Sequence, residues 1–492
     1  MCGIVGYVGP RNATPIILTG LQHLEYRGYD SAGIAILEQN GSIKVRRQVG
    51  KLINLQTDIS ESPIAGHAGI GHTRWATHGV PSERNAHPHM SMDGSTVVVH
   101  NGIIENFLSL REELKAEGVK FASDTDTEVI VHLVERYLST GMELTEAARC
   151  AATHLKGASA IVFMTTHEPG KLVTIRLGNA GGVAIGIGED EMFIASDIPA
   201  ILEHTRQMVF LESLQMATIT ADGFKVETIE GKPLTPEIHN IMWDPVSAAK
   251  GEYRHFMQKE IFEQARTLVD TIGGRVDFNT GEVAFNNLSI TPEEAKALTR
   301  IVIVACGTSY YSGLIGKFAI EALARIPVEV DYGSEYRYRD PILDDTCAVL
   351  AITQSGETVD TLAAMEAAQE RGVRLWSIVN AIGSQAMRIA DGYIAMHTGP
   401  EIGVASTKAF TASVIDQLLL AIYLGRQRGV LSDQDAKQLA ADLAHLPDLI
   451  SQVLERQEQY EELAIKLYRY ENFLYLGRGI NYPTALEGAI KL

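Results

Sequence analysis

Between residues 301 and 396 the chain keeps one rhythm: apolar runs at 301–305, 327–331, 347–352, 374–379 and 392–396, separated by helical stretches. Strands joined in this way by helices pair in parallel, because a parallel partner needs a crossover of a dozen residues or more. The pattern predicts a doubly wound α/β sheet, in which ligands sit beyond the carboxyl ends of the strands. Two of those ends are chemically marked. The strand 301–305 runs into Cys306-Gly307-Thr308-Ser309, and 348–352 runs into Thr353-Gln354-Ser355-Gly356-Glu357-Thr358. A helix N-terminus offers unpaired N–H groups and a positive dipole end, and Ser and Thr hydroxyls add neutral donors. One such turn is ordinary helix capping. Two in one sheet, at what read as neighbouring strand ends, point to a phosphate site. The Lys-Ser/Thr ending of a P-loop is missing.

The first 240 residues have a different rhythm. Short strands read at 3–8, 34–37, 43–48, 68–73, 96–100, 159–164, 171–176, 182–187, 191–195 and 207–211. Helices read around Ile16, Ile17, Leu18, Leu21 and Leu24, and at 104–117 and 127–138. Many strands with few helices between them predict stacked sheets covered by helices. The expected division is 1–240, a linker at 241–290, a parallel-sheet domain at 291–431, and a further stretch at 432–492. The last begins a second strand-and-glycine-turn unit at Asn472–Gly479, followed by a helix. Too few residues remain there to complete a domain, so the sequence reads as cut off at its end.

With 492 residues and 46% hydrophobic content, the chain has ample core for roughly three domains. The formal net charge of −19 argues against a nucleic-acid surface, which needs a basic patch. Four scattered cysteines (Cys2, Cys150, Cys306, Cys347) form neither a disulfide framework nor a zinc cluster, and fit a reducing cytoplasm. No signal peptide is evident, and the apolar run 418–424 is too short to cross a bilayer. The expectation is a soluble, cytoplasmic protein with no membrane association.

Several residues of the first domain carry chemistry. Removal of Met1 would leave Cys2 with an α-amine, whose ordinary pKa of about 7.7–8.0 lets it take the thiol's proton. His72-Thr73-Arg74-Trp75-Ala76-Thr77-His78-Gly79 ends a strand in polar side chains, and its arginine suits a carboxylate clamp. At 97–102 an apolar strand stops on Asn101-Gly102. That pair is commonly a hairpin turn, and alternatively an oxyanion hole made of a side-chain amide and a backbone N–H. Asp126, in a capping sequence at 123–128, suits an amino group. His78, His87, His89 and His100 raise the question of a metal, but no Cys or carboxylate completes a ligand spacing, and none is predicted.

Together these segments resemble the class II glutamine amidotransferases, whose N-terminal cysteine is the nucleophile of an N-terminal-nucleophile hydrolase αββα sandwich. The matching segments are CGIVG at 2–6, LEYRGYDSAG at 24–33, GHTRWATHG at 71–79, NAHPH at 85–89, VVHNGIIEN at 98–106 and SDTDTEVI at 123–130. The resemblance implies that Cys2 attacks the glutamine amide and that Asn101 and Gly102 stabilise the intermediate. It gives Arg74, Thr77, His78 and Asp126 the glutamine, and Trp75 a gate on the ammonia path.

The second half resembles the sugar-isomerase (SIS) domain of the glutamine–fructose-6-phosphate aminotransferase (isomerizing) family. CGTSYYSG at 306–313, SEYRYR at 334–339, TQSGETVDT at 353–361 and EIGVASTKAFT at 401–411 carry it, joined to the first half by YRHFMQKEI at 253–261. It implies that Thr308, Ser309, Gln354, Ser355 and Thr358 hold a sugar phosphate, with Val404 and Ser406 beside the sugar. Thr353 stands where the family commonly has serine and keeps the hydroxyl. Cys306 reads as a packed small residue. Glu487 and Lys491 match an isomerase motif. The implied reaction uses glutamine and fructose 6-phosphate, forms glucosamine 6-phosphate without a cofactor, and belongs to a homodimer. With the chain cut off, synthase activity is expected to suffer while glutaminase persists. Two alternatives stand: another class II amidotransferase, and a sugar-phosphate sensor. A phosphoribosyl-type enzyme would need an acidic diphosphate loop in place of TQSGET, and a sensor has no use for an N-terminal thiol.

Overall fold

The computed structural model describes residues 2–25, 28–76, 78–178, 182–241 and 253–492. Thr77 and the segment holding Trp243, Asp244 and Pro245 lie outside the described residues. The chain divides into two units, Met1–Pro245 and Val246–Leu492.

Strand alternation sorts the first unit into four layers. Ile4, Ile70, Val97, Val99, Ala160 and Val162 share one buried cluster, whereas their strand neighbours Val5 and Val98 pack elsewhere, among helices. Successive side chains on a strand face opposite ways, so each sheet has an inward and an outward apolar face. One eight-stranded sheet is centred on Gly3–Val8, which pairs antiparallel with Gly66–Arg74 and Met192–Ala195. Helices Ala13–His23 and Leu52–Glu61 cover its outer face through Ile17, Leu21, Leu52 and Leu55. The other, seven-stranded, sheet includes Thr96–Gly102, Ser159–Thr165 and Leu172–Leu177. Helices Phe107–Ala116, Glu128–Leu138 and Leu144–His154 cover it. The result is the αββα sandwich. Helices Leu52–Glu61 and Leu144–His154 and the hairpin Gln215–Thr220/Gly223–Thr228 were not among the sequence expectations.

The second unit holds a five-stranded parallel sheet in the order Val328–Tyr332, Arg300–Ala305, Cys347–Thr353, Arg374–Val379, Gly392–Ala395. The chain steps to one side of its first strand and then to the other. Arg300–Ala305 and Cys347–Thr353 are therefore neighbours (Ala305 opposite Ile352), and their carboxyl ends flank the crevice where strand order reverses. Helix Lys408–Arg428 is long and apolar enough to cross a membrane by length and composition, beyond what the run 418–424 suggested. However, 72% of its most apolar window is buried inside the protein. It packs with Phe256–Ile272 and Asp433–Leu454 through Leu268, Ile415, Leu419 and Leu443. The helix expected in the linker is thus part of this unit's core.

One expectation fails. Residues 472–478 form no strand, and Leu474 and Leu476 are exposed. A strand exists only through its ladder partners, and no described strand lies alongside to accept its backbone hydrogen bonds. The following helix, Asn481–Lys491, does form.

Candidate active site

The inward alternation that builds the sandwich core continues past its apolar end into polar residues. Two residues before Ile4 stands Cys2; two and four after Ile70 stand His72 and Arg74; two after Val99 stands Asn101. Because those strands are paired, or face each other across the sandwich, the four side chains converge at one end.

Cys2 is half-buried at the mouth of its strand. The Trp75 N–H donates to Cys2 Sγ at 3.2 Å, and the Trp75 carbonyl lies 3.5 Å from the same sulfur. Asn101 is buried, and its Nδ2 donates to the Cys2 carbonyl at 3.0 Å. Gly102 has a φ of +134°, and a Cβ there would sit 2.2 Å from the Ala158 carbonyl oxygen. Only glycine fits this backbone, next to the Asn101 amide.

Arg74 is 4% exposed. Its Nη2 donates to the carbonyls of His78 and Gly79, while Nη1 has no hydrogen-bond partner among the described residues. A buried guanidinium with an unused donor suits a carboxylate ligand. Burial lowers the Arg74 pKa, opposed by the negative fields of Cys2, Asp126 and Asp30. Asp126 is also buried, and its Oδ2 accepts from the Ile104 N–H at 2.8 Å. The turn that carries Asp126 is held from behind: the Glu128 carboxylate accepts from the N–H groups of Ala122 and Ser123 at 2.6 and 2.7 Å. Trp75 is 41% exposed and meets the Tyr29 ring edge-on. His78 packs edge-on against Phe107. Thr77 lies outside the described residues.

The other histidines form a buried stack. His72 lies face to face with His87 at 4.1 Å, and His87 meets His89 at 4.7 Å. His100 Nδ1 faces Thr127 Oγ1 at 2.9 Å, and His89 Nε2 faces Thr125 Oγ1 at 3.0 Å. Burial holds His72 and His89 down to about 3 and His100 to about 4, so all three are neutral near pH 7.

In the second unit, the turns after Arg300–Ala305 and Cys347–Thr353 lie side by side. Gly307 (φ +57°) opens helix Thr308–Leu323. Gly356 (φ +66°) is packed so closely that a Cβ would meet Ser384 Oγ at 2.0 Å. Thr353 is buried, and its hydroxyl accepts from the Gly356 N–H at 3.1 Å, which shapes the turn. The Ser355 hydroxyl accepts from the Glu357 N–H at 3.2 Å. Thr308, Ser309, Gln354 and Thr358 are half-buried around the same crevice. Helix Asn481–Lys491 brings Lys491 and Glu487 to this point. Their Nζ and Oε1 lie 2.6 Å apart, and Lys491 Nζ donates to Thr308 Oγ1 at 2.9 Å. Cys306 is half-buried rather than packed away; its sulfur accepts from Thr361 Oγ1 at 3.6 Å.

Val404 is 75% exposed on a loop clasped by two carboxylates. Glu260 accepts from the N–H groups of Ile402 and Gly403 at 2.6 and 2.9 Å. Glu401 accepts from the N–H groups of Thr407 and Ala409 and from the Ser406 hydroxyl at 2.7 Å. Sequence reasoning assigned nothing to Glu260, Glu128 or His72. The inward period of Gly66–Arg74 would have placed His72 beside Arg74; nothing local marks Glu260, which is 142 residues from Ile402.

A glutamine amidotransferase domain model matches residues 38–232, and a SIS domain model matches 295–422. Glutamine–fructose-6-phosphate aminotransferase [isomerizing] of Clostridium tetani is 45% identical over 492 residues, spanning 100% of this chain and 80% of that protein. The protein of the same name from Symbiobacterium thermophilum is 46% identical with the same coverage. The one from Thermus thermophilus is 45% identical, again over the whole of this chain and 80% of the relative. Among solved structures, the C-terminal domain of glucosamine-fructose-6-phosphate aminotransferase from Francisella tularensis is 34% identical, with a TM-score of 0.47, covering 50% of this chain and 68% of that one. On its 45–46% identity to the relatives from Clostridium tetani, Symbiobacterium thermophilum and Thermus thermophilus, the chain belongs to the glutamine–fructose-6-phosphate aminotransferase (isomerizing) family.

Proposed function

We propose that the chain hydrolyses glutamine at Cys2 and delivers the ammonia to fructose 6-phosphate in the second unit, giving glucosamine 6-phosphate and glutamate. The observation that carries it is the setting of the Cys2 sulfur: a strand-end thiol in contact with the Trp75 backbone, beside the Asn101 amide and the buried Arg74.

The Cys2 sulfur forms a bond to the side-chain amide carbon of glutamine, and the thiol proton passes to the α-amine exposed by removal of Met1. The carbonyl oxygen takes up the negative charge, received by the second hydrogen of Asn101 Nδ2 and by the Gly102 N–H. Collapse breaks the C–N bond; the leaving nitrogen takes the proton from the α-amine and departs as ammonia. Water then cleaves the thioester to glutamate and restores the thiol. Arg74 and Asp126 hold the α-carboxylate and α-amino group of glutamine, Thr77 and His78 complete the pocket, and Trp75 gates ammonia departure.

In the second unit, Thr308, Ser309, Gln354, Ser355 and Thr358 bind the sugar phosphate through hydroxyls, amide and backbone N–H groups, with Thr353 fixing their turn. Val404 and Ser406 face the sugar, and Glu487 and Lys491 belong to the isomerisation machinery. Ammonia adds to the C2 carbonyl of the open-chain ketose with loss of water. Moving one proton from C1 to C2, and the O1 hydroxyl proton to the nitrogen, then gives the aldose amine, a redox-neutral change that calls for no cofactor. The protein acts in the cytoplasm as a homodimer.

Purified protein, with its processed N-terminus verified by mass spectrometry, is expected to release glutamate from glutamine, and Cys2→Ala to abolish this. Glutamate release by Cys2→Ala at the unaltered rate would overturn the reading.

A further inference from the structure

We propose that His72 is a positioning residue for amide hydrolysis: it fixes the Asn101 side chain so that Nδ2, and not Oδ1, is turned toward the reacting sulfur. This rests on the roles given above to Cys2 and Asn101.

The orientation follows from donors and acceptors alone. His72 Nε2 lies 3.1 Å from the His100 carbonyl and 3.0 Å from the nearer atom of the Asn101 amide. A backbone carbonyl only accepts, so Nε2 carries the ring hydrogen and donates. The Asn101 atom facing it is therefore Oδ1. On the opposite side, the other amide atom lies 3.0 Å from the Cys2 carbonyl, again an acceptor, and is therefore Nδ2. Two independent one-way contacts give the same answer. A flipped amide would set NH₂ against the His72 N–H and oxygen against the Cys2 carbonyl, in a site where His72 and Asn101 are at most 4% exposed. Nδ2 spends one hydrogen on the Cys2 carbonyl and keeps the second for the developing oxyanion.

The imidazole is itself well fixed. It is fully buried, spans from Gly66–Arg74 to Thr96–Gly102 across the sandwich, and stacks on His87 at 4.1 Å and 26°. His87 in turn accepts from the His100 N–H at 3.3 Å. With its pKa held near 3 by burial, the ring keeps a single hydrogen across the assay range. His72 touches no substrate in this account; it acts through Asn101.

The test is glutaminase kinetics on the full chain with His72→Leu, which removes the donor, and His72→Gln, which returns an N–H near the Nε2 position. His72→Leu is expected to lower kcat about 10- to 100-fold, a fraction of the full effect of losing an oxyanion donor, with KM for glutamine within about twofold. Iodoacetamide alkylation of Cys2, which forms no oxyanion, is expected to run at the unaltered rate. His72→Gln is expected to recover most of the kcat. In an Asn101→Ala background, His72→Leu is expected to add nothing further. The proposal is overturned if His72→Leu keeps full kcat, if kcat and alkylation fall together while KM rises, or if His72→Gln loses as much as His72→Leu. Additive losses in the Asn101→Ala background also overturn it. If the unaltered protein releases no glutamate, the glutaminase reading itself has failed, a result distinct from any of these.

Discussion

A side chain in this active site is defined by which hydrogen bonds its neighbours leave open to it. Asn101 has one Nδ2 hydrogen spent on Cys2 and its Oδ1 spent on His72, which leaves one donor for chemistry. Asn101→Ala is therefore expected to lower glutaminase kcat by about 10²–10³ while moving KM little, the pattern of a contact made only in the transition state. Arg74 differs, since it is expected to meet the carboxylate in ground and transition states alike. Arg74→Lys loses the planar fork and is expected to raise KM for glutamine about tenfold with a smaller change in kcat, read from saturation curves. Gly102 is visible in sequence as half of an Asn-Gly pair. What makes it irreplaceable is the Ala158 carbonyl 2.2 Å from its missing Cβ, a neighbour 56 residues on.

At the scale of elements, the turns and clasps decide what the sheets can present. The loop bearing Val404 is held by Glu260 on one side and Glu401 on the other, and a Cβ on Gly403 would meet Glu260 Oε2 at 2.4 Å. Burial pushes the Glu260 carboxyl pKa up, against the pull of the backbone N–H groups it accepts from. Glu260→Ala is expected to raise hydrogen exchange at the Ile402 and Gly403 amides and to weaken fructose 6-phosphate binding several-fold in calorimetry. Glutaminase activity in the absence of fructose 6-phosphate is expected to be unchanged, because the affected loop belongs to the other unit. Unchanged exchange at both amides would refute the clasp. The linker motif YRHFMQKEI was legible as a helix; that its glutamate reaches a loop far along the chain was not. The failed strand at 472–478 is the converse case. Its apolar run satisfies a strand pattern, yet pairing, not pattern, makes a strand.

The first unit as a whole carries a pH signature from its buried imidazoles. Burial holds His72 and His89 near 3 and His100 near 4, and puts His87 well below its ordinary value. In the unfolded chain each would titrate near 6.5. Between these limits the unfolded state binds more protons, so folding stability falls as pH drops below about 6.5. The slope is about 1.4 kcal/mol per pH unit for each proton of difference. His132 opposes this: burial lowers its pKa, but hydrogen bonds to Glu128 and Glu135 outweigh burial and raise it, so its contribution is greatest at low pH. One against four leaves a net loss. Urea unfolding followed by hydrogen exchange in Gly66–Arg74 and Thr96–Gly102 is expected to show a lower midpoint at pH 5 than at pH 7.5. A midpoint that does not move would contradict it.

What the sequence alone determined was local and periodic: the alternation of the parallel-sheet domain, the hydroxyl-rich turns at its strand ends, and the polar endings of two inward-facing strands in the first. These follow from propensity and period, which act over a few residues. Tertiary structure alone decided which strand ends become neighbours, which imidazole fixes the Asn101 amide, and which carboxylate closes the loop at Gly403. Those outcomes depend on contacts between residues far apart in the chain, and their geometry exists only once both partners are buried together.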